Sequence, residues 1–273
     1  MNKRILILGK GFIGETLQKE FGCRISGAPI RSFADAERLA GKYNPEIIIN
    51  CIGATGRNNV DDCELDKDAT LFANSFLPLI LAEVCLRRGI KLVQISSGCI
   101  FEFDYKNGRP ITEKKPPDFF GLFYSRSKIY SDLALEALSR KFDILVIRLR
   151  IPLSDRPHPK NLLDKLIRYR RVITLKNSVT YIPDFARALR HLLKVDARGI
   201  YNVVNKGGLS YPRLMEVYKK YQPGFDYQKV DFRKLGLTRT NLLLSARKLE
   251  KSGFKVRNIN AVLEECVKEY LKY

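Results

Sequence analysis

Four short runs of aliphatic and β-branched residues, RILILG (4–9), EIIINCIG (46–53), KLVQISSG (91–98) and DILVIRLRI (143–151), recur through the first half of the chain. Each is too short to be a core helix, and none alternates apolar with polar, which is the pattern of a strand buried on both faces. The segments between them have helical spacing. Ile13, Leu17 and Phe21 recur in GFIGETLQKEFG, FADAERLAGKYN follows, then the long ATLFANSFLPLILAEVCLRRG stopped at Gly89, then YSRSKIYSDLALEALSRK. A weaker strand signal lies at CRISGA. Buried strands alternating with helices predict an α/β domain with a doubly wound parallel sheet covered on both faces.

After Pro152 the rhythm changes. PLSDRPHPKNLLDKLIRYRRV is proline-interrupted and basic, DFARALRHLLKV and RGIYNVVN add one helix and one strand, and helical segments (YPRLMEVYKKY, ARKLEKSGF, NAVLEECVKEYLKY) dominate from Gly207 onward. The expected division is a nucleotide-binding domain over 1–151, completed by about 178–205, with 152–177 and 206–273 forming a small, mostly helical C-terminal substrate lobe.

Gly9, Gly11 and Gly14 form GxGxxG at the point where the first strand meets the first helix. The first glycine permits a tight turn, the second lets the backbone approach a pyrophosphate, and the third lets helix and strand pack closely. The helix N-terminus adds unpaired amide donors. Gly9, Lys10, Gly11, Phe12, Ile13 and Gly14 are therefore candidate dinucleotide contacts. An acidic residue about 20 positions on would hold an unphosphorylated ribose. RISGAPIRSFAD instead offers Arg24 and Arg31 before Asp35, which is expected to cap the next helix. With Lys10 in the glycine turn, these cations suit a 2′-phosphate, so the preferred cofactor is NADP, with NADPH favoured over NADH.

The formal net charge of +20 calls for an anionic partner, but the basic residues lie far apart along the chain, which argues against a specific nucleic-acid site. Cys23, Cys51, Cys63, Cys85, Cys99 and Cys266 show no CxxC or CxxH spacing, so neither a metal site nor a disulfide framework is expected. His158 and His191 carry no partner pattern. The N-terminus lacks a signal-peptide pattern and no membrane span stands out in the hydropathy; the expectation is a cytoplasmic protein that does not engage a membrane.

Tyr124 and Lys128 form YxxxK, a spacing that puts both on one helix face. An ammonium beside a phenol favours the phenolate and so makes the tyrosine a usable proton donor and acceptor. In a chain with 13 tyrosines the spacing alone decides nothing. The order of the parts is more specific: glycine turn, NCIGA, VDDCE (60–64), Asn74, the strand carrying Ser96 and Ser97, then YxxxK. In this order the sequence resembles the extended branch of the short-chain dehydrogenase/reductase superfamily, whose members act on nucleotide sugars and have a Rossmann-type fold. GATGRNNVDDCE, SSGCIFEFD, GLFYSRSK, RLRIPLS, KNLLDKLIRY, NSVTYIPDF and GIYNVVN also follow one another as in the plant 3,5-epimerase/4-reductases that make nucleotide-rhamnose. The chain is similar, more distantly, to bacterial dTDP-4-dehydrorhamnose reductases. The likeness runs from about residue 4 to the region of Arg239. The plant enzymes have threonine where this chain has Ser97, which keeps the hydroxyl, and the loop before PPDFFGLFY is shorter here.

The resemblance implies NADPH-dependent reduction of the C4 ketone of a nucleotide-linked 4-keto-6-deoxyhexose (UDP- or dTDP-4-keto-6-deoxyglucose). Ser97 would bind the carbonyl oxygen, Tyr124 would transfer the proton, and Lys128 would tune Tyr124 and hold the nicotinamide ribose. Arg31, Gly53, Ala54 and Asn74 would line the cofactor. In such a sugar C3 and C5 are both α to the ketone, so each can be inverted by one group that removes a proton and one that returns it on the other face. Cys99 matches the thiol of the plant epimerases and Lys165 their lysine, which makes them the candidate epimerisation pair; which faces which proton is open. Arg57, Asn161, Arg168, Thr180 and Arg239 are candidates for the nucleotide sugar, with Arg171 and Asn241 alongside. A reductase without epimerase activity, or a non-catalytic NADP-binding subunit, are the alternatives, and a homodimer is compatible with the resemblance.

Overall fold

A computed structural model of the chain describes residues 3–57, 59–235, 238 and 240–273. In chain order the first elements are β1 (Ile5–Leu8), α1 (Phe12–Phe21), β2 (Arg24–Ser26), α2 (Phe33–Tyr43), β3 (Ile47–Asn50), α3 (Lys67–Leu71), α4 (Leu77–Arg88), β4 (Lys91–Ser97), α5 (Phe123–Ser139) and β5 (Ile144–Leu149). They are followed by β6 (Pro152–Leu153), α6 (Leu162–Tyr169), β7 (Arg171–Ile173), β8 (Thr180–Tyr181), α7 (Ile182–Lys194) and β9 (Gly199–Asn202). The last are α8 (Tyr211–Tyr221), β10 (Gln228–Val230), α9 (Arg247–Lys251) and α10 (Leu263–Tyr270).

The chain divides into two compact units. One comprises residues 1–100, 119–148 and 193–201, the other 101–118, 149–192 and 202–273. Nothing in the hydropathy of 101–118 marks it as part of the second unit rather than the first.

The first unit is built on a six-stranded sheet of order β2-β1-β3-β4-β5-β9, in which β1 pairs in parallel with β2 and β3, and β3 with β4. This is the Rossmann-type doubly wound arrangement expected from the alternating runs. Chain order reverses between β1 and β3, and in such sheets the crevice outside the carboxyl ends of those two strands is the place for a ligand. Every residue of β1, β3 and β5 is buried, which is why these runs show no polar alternation. Leu39 and Ala40 of α2 and Leu77, Leu81, Ala82 and Cys85 of α4 pack with Leu6, Ile48, Leu92 and Val146 in one core.

Two local details differ from the sequence reading. Ser32, not Asp35, caps α2: its hydroxyl accepts the Asp35 N–H (3.2 Å), while the Asp35 carboxylate accepts the Arg31 N–H (3.0 Å), a reciprocal box. The long helix expected to end at Gly89 does end there, but Phe72–Phe76 forms a π turn between α3 and α4. The run Lys67–Arg88 is long and apolar enough to cross a membrane by length and composition alone. Half of its apolar window is buried inside the protein, as in a core helix.

The second unit has its own core, where Leu163 and Leu166 of α6, Leu214, Met215 and Val217 of α8, and Leu263, Cys266 and Val267 of α10 meet Val172, Val179 and Tyr181. Two small parallel pairs, β6–β8 and β7–β10, add sheet that two- and three-residue strands leave invisible in the sequence. The helix expected at ARKLEKSGF is one turn, α9, and that at the C-terminus starts with a 3-10 turn, Ile259–Ala261.

Candidate active site

At the carboxyl end of β1 the chain turns through Gly9, whose φ of +100° is open to glycine and strained for other residues. Its N–H donates to the Ser26 carbonyl of β2 (2.9 Å). A Cβ on Gly14 would lie 2.0 Å from the Gly9 carbonyl oxygen, so the third glycine of the motif is required for α1 to sit on the turn. At Gly11, which caps α1, a Cβ would meet nothing within 4 Å, and the backbone stands open to a ligand. Phe12 and Ile13 open the helix. The stem of Lys10 packs over Gly27 beyond β2, where a Cβ would touch it at 2.9 Å. Arg31 is exposed just before α2. Arg24 pairs with Leu6 rather than with the turn, and its guanidinium lies over the Tyr43 ring at 5.9 Å.

The second loop follows β3. Asn74 projects from the π turn, a distortion that often marks functional positions, and is fully buried. Its Oδ1 accepts the Ala54 N–H (3.0 Å) and its Nδ2 donates to the Ala54 carbonyl and to the Ser127 hydroxyl, each at 3.0 Å. The side chain therefore braces the 53–54 loop to α5. At Gly53 a Cβ would lie 2.9 Å from Lys128 Nζ and 3.2 Å from Asn74 Oδ1. Only a glycine lets the ammonium come this close to the loop.

Helix α5 begins where the Phe123 N–H donates to the Glu64 carboxylate (2.8 Å), an acid at a helix N-terminus. Tyr124 and Lys128 sit one turn apart and are both buried. Burial pushes the Lys128 ammonium down to about 8, with Asp132 one turn further on opposing the shift, followed by Cys63. The next strand delivers Ser96 and Ser97. Ser97 Oγ accepts the Cys99 N–H (3.1 Å), and the Cys99 carbonyl accepts from the Ser125 hydroxyl (2.6 Å), so the 97–99 turn is tied to the start of α5. Cys99 is half-buried. In one unit the fold thus joins the strand end bearing Ser97 and Cys99, the helix bearing Tyr124 and Lys128, and the Gly53–Ala54 loop. Arg57 is exposed beyond that loop.

The remaining candidates belong to the second unit. Lys165 is half-buried on α6 and Arg168 is exposed, its guanidinium 4.6 Å over the Tyr169 ring. Arg171 is exposed at the start of β7. Two candidates hold the local fold. Asn161 is the cap of α6: its Oδ1 accepts from Leu163 N (3.3 Å) and Ser154 N (2.9 Å), and its Nδ2 faces the carbonyls of Ser154 and Arg156 and the Asp164 carboxylate. Thr180 is buried, with its hydroxyl donating to the Val203 carbonyl (2.7 Å) and accepting the Arg150 N–H (3.0 Å). Both side chains bond within the second unit. Asn241 accepts from Asn177 Nδ2 (2.7 Å), and Arg239 lies outside the described residues. His158 Nδ1 accepts from the Lys160 N–H, and His191 Nε2 meets Ser252, as structural histidines do. All six cysteines are free, and no cluster able to hold a metal occurs among the described residues.

Residues the sequence did not single out are Asp132, Arg148 and Glu64. Asp132 had a signal, since it continues the Tyr124–Lys128 face by four residues. Arg148 had another, a cation inside the apolar run of β5.

A doubly wound sheet with a glycine turn, a serine at the end of β4 and Tyr and Lys one turn apart on the next helix defines an extended short-chain dehydrogenase/reductase. Residues 3–215 match the family model described as RmlD substrate binding domain, and the chain belongs to that family. A bifunctional dTDP-4-dehydrorhamnose 3,5-epimerase/dTDP-4-dehydrorhamnose reductase of Arabidopsis thaliana is 32% identical over 237 residues, 82% of this chain and 77% of that protein. A trifunctional UDP-glucose 4,6-dehydratase/UDP-4-keto-6-deoxy-D-glucose 3,5-epimerase/UDP-4-keto-L-rhamnose-reductase of the same plant is 32% identical over 97% of the chain, which spans 42% of its length. Among solved structures, a UDP-rhamnose synthase of Acanthamoeba polyphaga mimivirus superposes with a TM-score of 0.90 at 25% identity, covering 98% of this chain and all of that one. A dTDP-4-dehydrorhamnose reductase of Bacillus anthracis in complex with NADP shares the fold, with a TM-score of 0.81 at 21% identity over 100% of this chain and 99% of that one.

Proposed function

We propose that the protein reduces the C4 ketone of a nucleotide-linked 4-keto-6-deoxyhexose with NADPH, after inverting C3 and C5, to give a nucleotide-L-rhamnose. The observation that carries this reading is the Lys128 ammonium seated against Gly53, on the same buried helix face as Tyr124 and beside the strand end that carries Ser97. The relatives named for 3,5-epimerase and 4-reductase activities support the substrate class.

The glycine turn fits a dinucleotide: the Gly9–Gly14 contact closes the turn, and Gly11 leaves its amide face open. Lys10 and Arg31 are assigned to the 2′-phosphate, with Phe12, Ile13, Gly53 and Ala54 along the cofactor. NADPH, when bound, supplies the hydride for C4. Ser97 donates a hydrogen bond to the ketone oxygen and holds it as charge develops. Tyr124 gives that oxygen its proton, and Lys128 stabilises the phenolate left behind. Before reduction, Cys99 and Lys165 act as the acid and base at C3 and C5. Arg57, Arg168 and Arg239 are assigned to the diphosphate, whose paired oxygens match a guanidinium. In this reading the enzyme works in the cytoplasm.

The test is product analysis with UDP- and dTDP-4-keto-6-deoxyglucose. With NADPH, NADPH is consumed and a nucleotide-rhamnose appears by NMR. Without NADPH in deuterated water, deuterium enters C3 and C5. Reduction only of a ketone that another enzyme has already epimerised, with no deuterium uptake, would leave a simple 4-reductase. No turnover of either ketone would leave a non-catalytic NADP-binding subunit.

A further inference from the structure

Asp132 and Arg148 form an ion pair with both side chains fully buried, between α5 and β5 inside the first unit. Asp132 Oδ1 accepts the Ser96 hydroxyl (2.8 Å), and Oδ2 accepts Arg148 Nε (3.0 Å) and Nη2. A buried pair of this kind gives no more stability, as a rule, than well-packed apolar residues of the same volume. Packing alone therefore does not account for it. Its place on the helix does: Asp132 follows Lys128 by one turn and Tyr124 by two, so all three side chains leave one face of α5.

Lys128 needs such a neighbour. It is buried, and burial strips an ammonium of the water that keeps it charged. Ionisable groups stand on several elements packed against α5: Asp61, Asp62, Cys63 and Glu64 on the 60–64 turn, Lys67 and Asp68 on α3, Glu83, Arg87 and Arg88 on α4. Glu64 is engaged with the Phe123 N–H and Lys67, Arg87 with Glu83, and Arg88 with Glu37. The Ser96–Ser97 end of β4 and the π turn bring only hydroxyls and the Asn74 amide. Asp132, and after it Cys63, favour the charged form of Lys128, and burial raises the Cys63 thiol, which keeps it neutral near pH 7.

We propose that Asp132 is a positioning residue of the reduction: anchored by Arg148 and Ser96, its carboxylate is the counter-charge that holds Lys128 as an ammonium against the Gly53 loop. The same carboxylate ties the strand next to Ser97 to the helix of Tyr124, so one group fixes both the charge and the spacing of the catalytic set. The inference rests on the reduction proposed above for its consequence, but not for its measurement.

The experiment has two arms. The Cε resonance of Lys128, identified by its loss in Lys128→Arg, is titrated by NMR in the native chain, in Asp132→Asn, in Asp132→Glu and in the double variant Asp132→Asn/Arg148→Met. The double variant leaves no guanidinium buried alone, and so reports where the single amide variant fails to fold. The midpoint is expected near 8 in the native chain. It is expected to fall by about one unit or more in Asp132→Asn, to fall less in the double variant, which removes a charge of each sign, and to be kept in Asp132→Glu. In parallel, kcat/KM for ketone reduction, which reports the groups of the free enzyme, is followed against pH. Its high-pH limb, where Lys128 loses its proton, should move down with the titration midpoint. Unchanged midpoint and limb in the amide variants, even with lower stability, would overturn the inference. A native protein that reduces neither ketone would overturn the functional reading instead, and the titration would still decide the role of Asp132.

Discussion

The two units use their buried polar side chains in the same way but to different ends. In the first, the serines and Asn74 are braces: Ser125 holds the Cys99 carbonyl, Ser127 and Asn74 hold each other and the Ala54 loop, and Ser96 holds Asp132. Tyr124, Lys128 and Cys99 are the groups so positioned. In the second, the side chains of Asn161 and Thr180, candidates for the nucleotide sugar by type and position in the chain, hold the local fold. A polar residue near a strand end or helix start has two possible employments, and only the count of its hydrogen-bond partners separates them.

The sharpest way to break this comparison is to remove a positioned group. Cys99→Ala should lower deuterium uptake into the sugar ring by about 10²–10⁴-fold, the usual weight of an acid/base group. Reduction of a ketone already epimerised should survive in the same variant. Lys165→Ala should do the same if Lys165 is the second acid/base group of the epimerisation. Uptake unchanged in both would return them to ordinary packing and surface roles.

A smaller effect tests the cost of placing Lys128 where it is. Its folded value of about 8 lies below that of an unfolded lysine, about 10.4, so across this window the unfolded chain binds a proton the native chain has released. Stability should therefore rise with pH between about 8 and 10.4, and below that window the buried ammonium weakens the fold. Lys128→Met should raise the midpoint of thermal unfolding at pH 7, by up to about 3 kcal/mol of stability, while abolishing reduction. A lower midpoint would mean that the ammonium is a structural support.

The smallest effect sharpens the other side. Asn161→Ala should cost about 1 kcal/mol through the lost helix cap and leave KM for the nucleotide sugar unchanged. A raised KM at full stability would restore it to the binding site.

Much of the first unit was legible because its signals are local. Strands of four to seven apolar residues, GxGxxG and YxxxK are each read within one element, and the order of the segments fixed the family. The π turn at Phe72–Phe76 was not legible, since ATLFANSFLPL has no glycine to mark it and Pro78 falls where a helix start tolerates it. The Asp132–Arg148 pair joins two elements through space. In the second unit the short pairs β6–β8 and β7–β10 depend on partners far along the chain, and two or three residues carry no period.

The claim on which the rest depends is that the Tyr124 hydroxyl delivers the proton that completes reduction of the ketone. Rapid-mixing measurement of NADPH oxidation by Tyr124→Phe, saturated with cofactor and with 4-keto-6-deoxy nucleotide sugar, tests it directly. The expected result is tight NADPH binding, unaltered folding and a hydride-transfer rate lower by at least about 10²-fold. A rate equal to that of the native protein would contradict the account.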